Sequence, residues 1–407
     1  MYISSFPTLS LKNLVRSFAA PTSHNRDQGK NCYYYSSGSA CIYSAIRSID
    51  LKAGDNILFP SYHCGVEIDA ALKANDTIEI RFFRILRNLE VDIKDLERRI
   101  DKSTKAIFII HYFGFIQPLN EIKTLCDKHN IYLIEDCAHA LFSRYKDNHI
   151  GTFGDYAIFC MYKSLPLPNG GMLRVNGQRK HREVIALNHN PAWIFLLRNI
   201  ILLIIENIKI RCGSACRSID IVITMPMMKI FQLIKKRKKI YPAKDMGRTS
   251  FLAYSKMSKI SKSIMRCLDS ENIYQKRREN YQILLKEIKR NNLIFKDLPE
   301  GICPLFFPIV AGDRDKLRCR LEERGIQTFI FGKYPHRLMN RDDFPVSSYF
   351  SDHNLCIPIH QDLKVTHIKY IADMLKIELA RYSLPDIVID RFNEKGYIYN
   401  NKIKTII

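Results

Sequence analysis

The sequence predicts an α/β protein built on a parallel sheet with helices on both faces. Two observations carry this. Between residues 31 and 175, strand-like and helix-like patterns alternate along the chain, the order that produces βα units. The strands among them are apolar throughout, as in "NILF" and "AIFII", so both of their faces must be covered. In such sheets, ligands sit beyond the carboxyl ends of the strands.

The elements follow in order. "ACIYSAIRSI" has apolar helical spacing, and "DNILFP" is a short strand running into a proline stop. "GVEIDAALKAN" is helical, "TIEIRFF" a strand and "VDIKDLERRI" a helix. "TKAIFIIHYFG" is a buried strand, "LNEIKTLCDKHN" a helix and "IYLIED" a strand. Residues 180–245 break the alternation. "PAWIFLLRNIILLIIENIKI" is strongly apolar but is interrupted by Arg198 and Glu206. Its apolar core falls short of the roughly 20 residues a membrane span needs. "MMKIFQLIKKRKKI" follows with a basic end. From about 251 the chain is helical and charged. A smaller α+β segment then runs "LFFPIV" strand, "RDKLRCRLEERG" helix, "IQTFIFG" strand, "LCIPIH" strand and "THIKYIADML" helix. The expected organisation is a large unit over 1–250 with an insertion at 180–245, a small unit over 251–378, and a polar extension over 379–407.

The chain has 407 residues and is 46% hydrophobic, ample for a large core. Its twelve cysteines form no CxxC pair, which leaves zinc-ribbon and thioredoxin readings without support and gives no expectation of a metal. Scattered thiols suit a reducing cytoplasm, and the start lacks the order of a secretory signal. Net charge is +22, and residues 209–290 hold 21 Lys/Arg against 6 Asp/Glu. Solvated faces of a Lys- and Ile-rich chain explain this, and so does an anionic membrane. Nucleic acid is disfavoured, because no aromatic-interleaved basic motif appears. The stretch 185–240 fits helices covering one another or a subunit interface, or a peripheral membrane contact.

Three stretches carry chemistry. "SSGSA", residues 36–40, opens a helix with small residues. It suits either an ordinary N-cap or a phosphate cradled by backbone N–H groups. "YLIEDCAHA" puts Glu135 and Asp136 at the end of a buried strand, with His139 one turn on. A carboxylate there either caps a helix or pairs with a cation. "MYKSLPLPNGGM" sets Lys163 before Pro166, Pro168 and the Gly170-Gly171 pair. It is either a solvated turn lysine or a rigidly framed amine, activated when burial or nearby cations lower its pKa.

The order and spacing of these landmarks resemble the DegT/DnrJ/EryC1/StrS family of pyridoxal-phosphate (PLP) sugar aminotransferases. Further matches are "RRENY" at 277–281, "LEERGIQT" at 321–328 and "LCIPIHQDL" at 355–363. The resemblance covers roughly 33–175 and 247–376. It implies a fold-type-I PLP transferase, with a mainly parallel seven-stranded sheet in the large domain and a small C-terminal α+β domain. It also implies a homodimer. By this resemblance, Lys163 forms the Schiff base with PLP and Asp136 pairs with the pyridine nitrogen. His139 lies near the cofactor's 3-oxygen, and Ser37, Gly38 and Ser39 form the phosphate turn. Cys160 falls at a phosphate-binding serine. Cys64 takes the usual position of the ring-stacking aromatic, which leaves Tyr62 or His63 for that task. Pro168 and Asn169 replace a common Gly-Glu, and Met246-Gly247-Arg248 stands where the family has Asn-Tyr-Arg. The implied reaction moves an amino group from an amino acid, expected to be glutamate, to a keto-sugar. The sugar is expected to be nucleotide-linked and bound for a surface polysaccharide or other glycoconjugate. Related sugar dehydratases carry histidine in place of the lysine, so Lys163 favours transamination over lyase chemistry. A non-catalytic relative with a regulatory or scaffolding role is the other alternative.

Overall fold

The computed structural model describes residues 1–19, 31–146, 148–177, 179, 182–185, 187, 189–213, 219–227, 229, 231, 254–288 and 290–382. After helix α1 (Leu11–Ala19), the chain runs β1 (Cys32–Tyr35), α2 (Gly38–Ser48), β2 (Asn56–Pro60), α3 (Val66–Ala74) and β3 (Glu79–Phe83). It continues with α4 (Ile93–Arg99), β4 (Thr104–Ile110), α5 (Leu119–Lys128) and β5 (Tyr132–Asp136). A short hairpin, β6 (Arg144–Tyr145) and β7 (Asn148–His149), precedes β8 (Tyr156–Phe159), α6 (Met161–Ser164) and β9 (Gly171–Val175).

Seven strands form one sheet in the order β1-β9-β8-β5-β4-β2-β3. β2, β3, β4, β5 and β8 are mutually parallel, and β9 runs antiparallel between β8 and β1. Alternate residues of each strand feed different cores. Ile57, Phe59, Phe108, Ile134 and Ile158 join one apolar cluster, whereas Leu58, Ile107, Ile109, Leu133 and Ala157 join another. That is the period of two expected of strands buried on both faces.

The C-terminal part begins with α7 (Trp193–Cys212), α8 (Lys259–Arg266) and α9 (Ser270–Glu287). The antiparallel pair β10 (Phe306–Val310) and β11 (Asn354–Pro358) follows, with α10 (Arg314–Glu323), α11 (Pro345–His353) and α12 (Val365–Tyr382). Helix α12 packs on α9 and α10. "IQTFIFG" is not a strand. Ile326 makes one bridge to Ile3, and Phe329 makes one to Cys356. The segment changes partner midway, and Gly332 (φ 66°) then bends it around the Tyr62 ring, so no ladder builds up. "KKRKK" at 235–239, Met246-Gly247-Arg248 and most of the 379–407 extension lie outside the described residues.

One side chain ties the two parts together behind the Lys163 segment. Arg277 is 1% exposed. It donates to the carbonyls of Leu305 (2.9 Å) and Ser164 (3.2 Å) and to Gln361 Oε1 (3.1 Å). Removing it orphans buried acceptors, each costing about 1–3 kcal/mol. Arg277→Met is therefore expected to lower stability by about 3 kcal/mol. The check is a lower urea midpoint at unchanged slope.

Candidate active site

The site forms where strand ends converge. Asp136 is the last residue of the central strand β5, and β8 next to it leads through Cys160 into α6, which carries Lys163. On the far side of β9, β1 leads into α2 through Ser37. Ser37 caps α2, its side chain accepting from Ala40 N at 3.3 Å.

Lys163 Nζ lies 3.1 Å from His139 Nε2. Burial first, and then the Lys163 charge, hold the imidazole well below its usual pKa, so it is neutral. A neutral ring has one acceptor nitrogen. The Phe113 N–H donates to Nδ1 at 3.3 Å, and Nε2 lies toward the Lys163 amine. Phe113 stacks parallel to this ring at 5.6 Å, and Phe331 meets it edge-on at 4.9 Å. Phe113 holds φ at 55°, a left-handed conformation disfavoured for a side chain of this size.

Asp136 is buried, and its Oδ1 accepts from Ala138 N at 2.8 Å. Burial, then the charge of Glu67, push its carboxyl up to about 7, against the pull of Lys163. Glu135 is spent elsewhere. Its Oε1 accepts from Phe153 N (3.0 Å) and Gly154 N (2.6 Å), and its Oε2 faces His111 Nε2 at 3.2 Å.

The pKa of Lys163 is not lowered, contrary to the simplest reading of a framed amine. Burial pushes it down, but Cys160, Cys64, Asp136 and Glu67 outweigh this, and the net direction is up. Of those groups, Glu67 is one the sequence reading did not place in the site, and Cys64 entered it only as the residue at the ring-stacking position. Glu67, in the first turn of α3, is a second buried carboxylate, and Cys64 Sγ donates toward both of its oxygens at 3.0 Å. Their signal in the sequence was an acid and a thiol three residues apart after a strand end. That pattern is too common to point to a site unaided.

The rings proposed for stacking are committed to packing. Tyr62 donates to Phe331 O (2.9 Å) within an aromatic cluster of Tyr112, Phe331 and Phe350. His63 stacks on Phe82, contacts Pro60 O through Nδ1 (3.0 Å) and accepts from His336 N (2.9 Å). Of these three neighbouring positions, Cys64 is the one whose charge raises the Lys163 pKa.

The cradle at the start of α2 is tight. A Cβ on Gly38 would stand 3.3 Å from Cys160 Cβ, and the Gly38 N–H is directed at the Cys160 thiol. A Cβ on Gly171 would stand 2.3 Å from Ser37 O. Gly170 has φ 153°, so the glycine pair supplies both the unusual backbone and the close approach. Ser36 Oγ is buried beside this turn without a hydrogen-bond partner. Ser39 is buried in the first turn of α2. Asn169 locks the loop from behind, its Oδ1 accepting from Ser258 Oγ (2.8 Å), the cap of α8, and from Ser261 Oγ (2.6 Å) on α8.

These residues fit PLP. A buried acid near neutrality suits a ring nitrogen that needs a proton, and the amine stands beside it. The capped helix start, with an orphaned serine hydroxyl nearby, suits a phosphate. Gly171→Ala drives a methyl into the Ser37 carbonyl and must shift this cap. We expect at least about tenfold weaker PLP binding and about 1–3 kcal/mol lower stability. Equilibrium dialysis and thermal unfolding check these.

Residues 15–191 match the sequence model of the DegT/DnrJ/EryC1/StrS aminotransferase family. The GDP-perosamine synthase of Vibrio cholerae is 28% identical over 151 residues, which are 36% of this chain and 40% of that protein. The chain thus matches about two fifths of that relative's length. The fold extends further. PseC of Helicobacter pylori, an aminotransferase involved in pseudoaminic acid biosynthesis, superposes with TM-score 0.66 at 16% identity, over 93% of this chain and 99% of that one. Spr1654 of Streptococcus pneumoniae, in its PLP form, superposes with TM-score 0.67 at 15% identity, over 94% and 99%. The architecture is therefore that of the fold-type-I aminotransferases.

Proposed function

We propose that this chain, which matches the DegT/DnrJ/EryC1/StrS aminotransferases over residues 15–191, is itself a PLP-dependent aminotransferase. The observation that carries the reading is the meeting of Lys163, His139 and Asp136 at the strand ends, beside the capped start of α2. PLP, when bound, supplies the electron sink that weakens bonds at the substrate's amine-bearing carbon. The chain supplies the rest. Lys163 Nζ holds the cofactor and moves the proton at the reacting carbon. Asp136 keeps a proton at the ring nitrogen, and its burial keeps water from competing for that task. His139, pinned between Phe113 and Phe331, fixes the position of the Lys163 amine. Gly38 and Ser39, at the start of α2, would hold the phosphate.

The amino donor is an amino acid, with glutamate as the expectation. The acceptor is a nucleotide-linked keto-sugar serving polysaccharide or glycoconjugate synthesis. The relative named GDP-perosamine synthase supports the acceptor class. The chain works as a homodimer in this reading, with 251–378 acting as the small domain over the Lys163 loop. Residues 185–240 meet a membrane surface peripherally, and no described helix is long and apolar enough to cross one.

The test is spectroscopic and chemical. Purified protein with PLP should absorb near roughly 410–430 nm. Glutamate should bleach that band and release 2-oxoglutarate, and a keto-sugar nucleotide should restore it. A protein that binds PLP but leaves glutamate unchanged sinks transamination and favours lyase chemistry. One that binds no PLP sinks both.

A further inference from the structure

We infer that α1, flanked by α7 and α8, is a docking surface for an anionic lipid bilayer. The inference adds α1 and α8 to the stretch 185–240, in which α7 lies, and is independent of the reaction. Helix α1 faces the opposite way from an ordinary surface helix. Leu11, Val15 and Phe18 are 59%, 66% and 74% exposed, whereas Ser17 is 2% exposed. Their spacing of four and three residues lines them along one stripe. Lys12 and Arg16 are exposed beside that stripe.

The neighbouring elements extend both features. Helix α1 packs on α8, where Lys259, Lys262 and Arg266 share one face by their three- and four-residue spacing. Burial, then the charges of Arg266 and Lys256, push the Lys262 amine down. Among the described residues, Lys12, Arg16, Lys259, Lys262 and Arg266 have no carboxylate partner. Helix α7 is tied to the segment leading into α1, with Leu9 N donating to Leu203 O (3.2 Å) and Asn207 to Thr8 Oγ1 (2.9 Å). It adds Trp193 and Leu197, 67% and 43% exposed.

Charge decides the occupant. A twofold contact between copies sets one patch against itself. Here it would bring five cations of one copy, none with a described carboxylate partner and one of them, Lys262, over the Tyr34 ring, against the same five of the other, in a chain of net charge +22. A bilayer of anionic lipid satisfies both features at once. The apolar stripe enters the boundary between headgroups and acyl chains, and the cations meet phosphates. The face also backs the candidate site. Asn199 of α7 donates to Pro168 O at 2.8 Å, and α8 holds Asn169, so both helices grip the Lys163 loop.

Flotation of the full chain with vesicles of phosphatidylglycerol and phosphatidylcholine tests this. The chain should float with mixed vesicles at low salt, float less as salt rises, and stay behind with pure phosphatidylcholine. The V15E/F18E variant should reduce the bound fraction at least about tenfold. K12E and R16E should each weaken binding about fivefold. All variants should keep the parent's PLP absorbance, which shows that they remain folded. A chain that ignores anionic vesicles at low salt overturns the proposal, as does a V15E/F18E variant that binds like the parent. If V15E/F18E instead dissociates a dimer in sedimentation and changes nothing on vesicles, the face belongs to a second copy and the proposal fails.

Discussion

Lys163→Ala is expected to abolish the absorbance band near roughly 410–430 nm and to slow amino transfer by at least about 10³-fold. The amine is the primary amine the described site places with Asp136, at 3.1 Å from His139. An added small amine should restore part of the rate, because it supplies the missing proton carrier without rebuilding the site. A collapsed protein would not be rescued, so this separates chemistry from folding. Retention of the band in Lys163→Ala would remove the basis of the proposed function.

Asp136→Asn has the second-largest expected effect, and it acts in opposite directions on activity and stability. Amino transfer should fall about 10²–10⁴-fold, because an amide cannot hold a proton at the ring nitrogen. Stability follows from the carboxyl group, raised from 3.8 to about 7 by burial and then by Glu67. A raised acid binds its proton more tightly folded than unfolded. The stability it contributes is present in full below the unfolded pKa, and is lost as pH rises through the folded pKa. Between about pH 4 and 7 the cofactor-free parent should therefore lose stability that Asp136→Asn keeps. At about 1.4 kcal/mol per unit the difference above pH 7 reaches at most about 4 kcal/mol. Urea unfolding of both proteins at pH 5 and pH 8 reads it. Glu67→Gln should bring the transition in the parent to lower pH, since Glu67 is the second cause of the shift. A residue that weakens the empty fold while serving the bound cofactor marks a site shaped for function.

Much of this was legible in the sequence because the signals are local. Uninterrupted apolar strands between amphipathic helices require a sheet covered on both faces, whereas its seven strands were implied by the family resemblance. Asp136 at a strand end and His139 three residues on lie within one short stretch of chain. So do Lys163 and the Gly170-Gly171 pair. Their mutual placement is fixed by backbone geometry across a few residues. Gly171 shows how far this reaches. Its glycine was readable as close packing, while the partner, Ser37 O, was not.

What only the tertiary structure decided are contacts between residues far apart in the chain. Cys64 and Glu67 reach Lys163 because the β2 and β8 ends converge on one edge of the sheet, and no periodicity encodes that distance. Tyr62 and His63 looked equally suited to a cofactor ring, yet the C-terminal part claims both through Phe331 O and His336 N. Arg277 and Asn169 brace the lysine loop through carbonyls and serines that sequence spacing cannot pair. The sequence determined which residue types could do the chemistry and which elements carry them. The packing of distant segments decided which way each side chain faces. Residue order specifies torsions along the chain, but a burial or a charge partner exists only once separate elements share the same space.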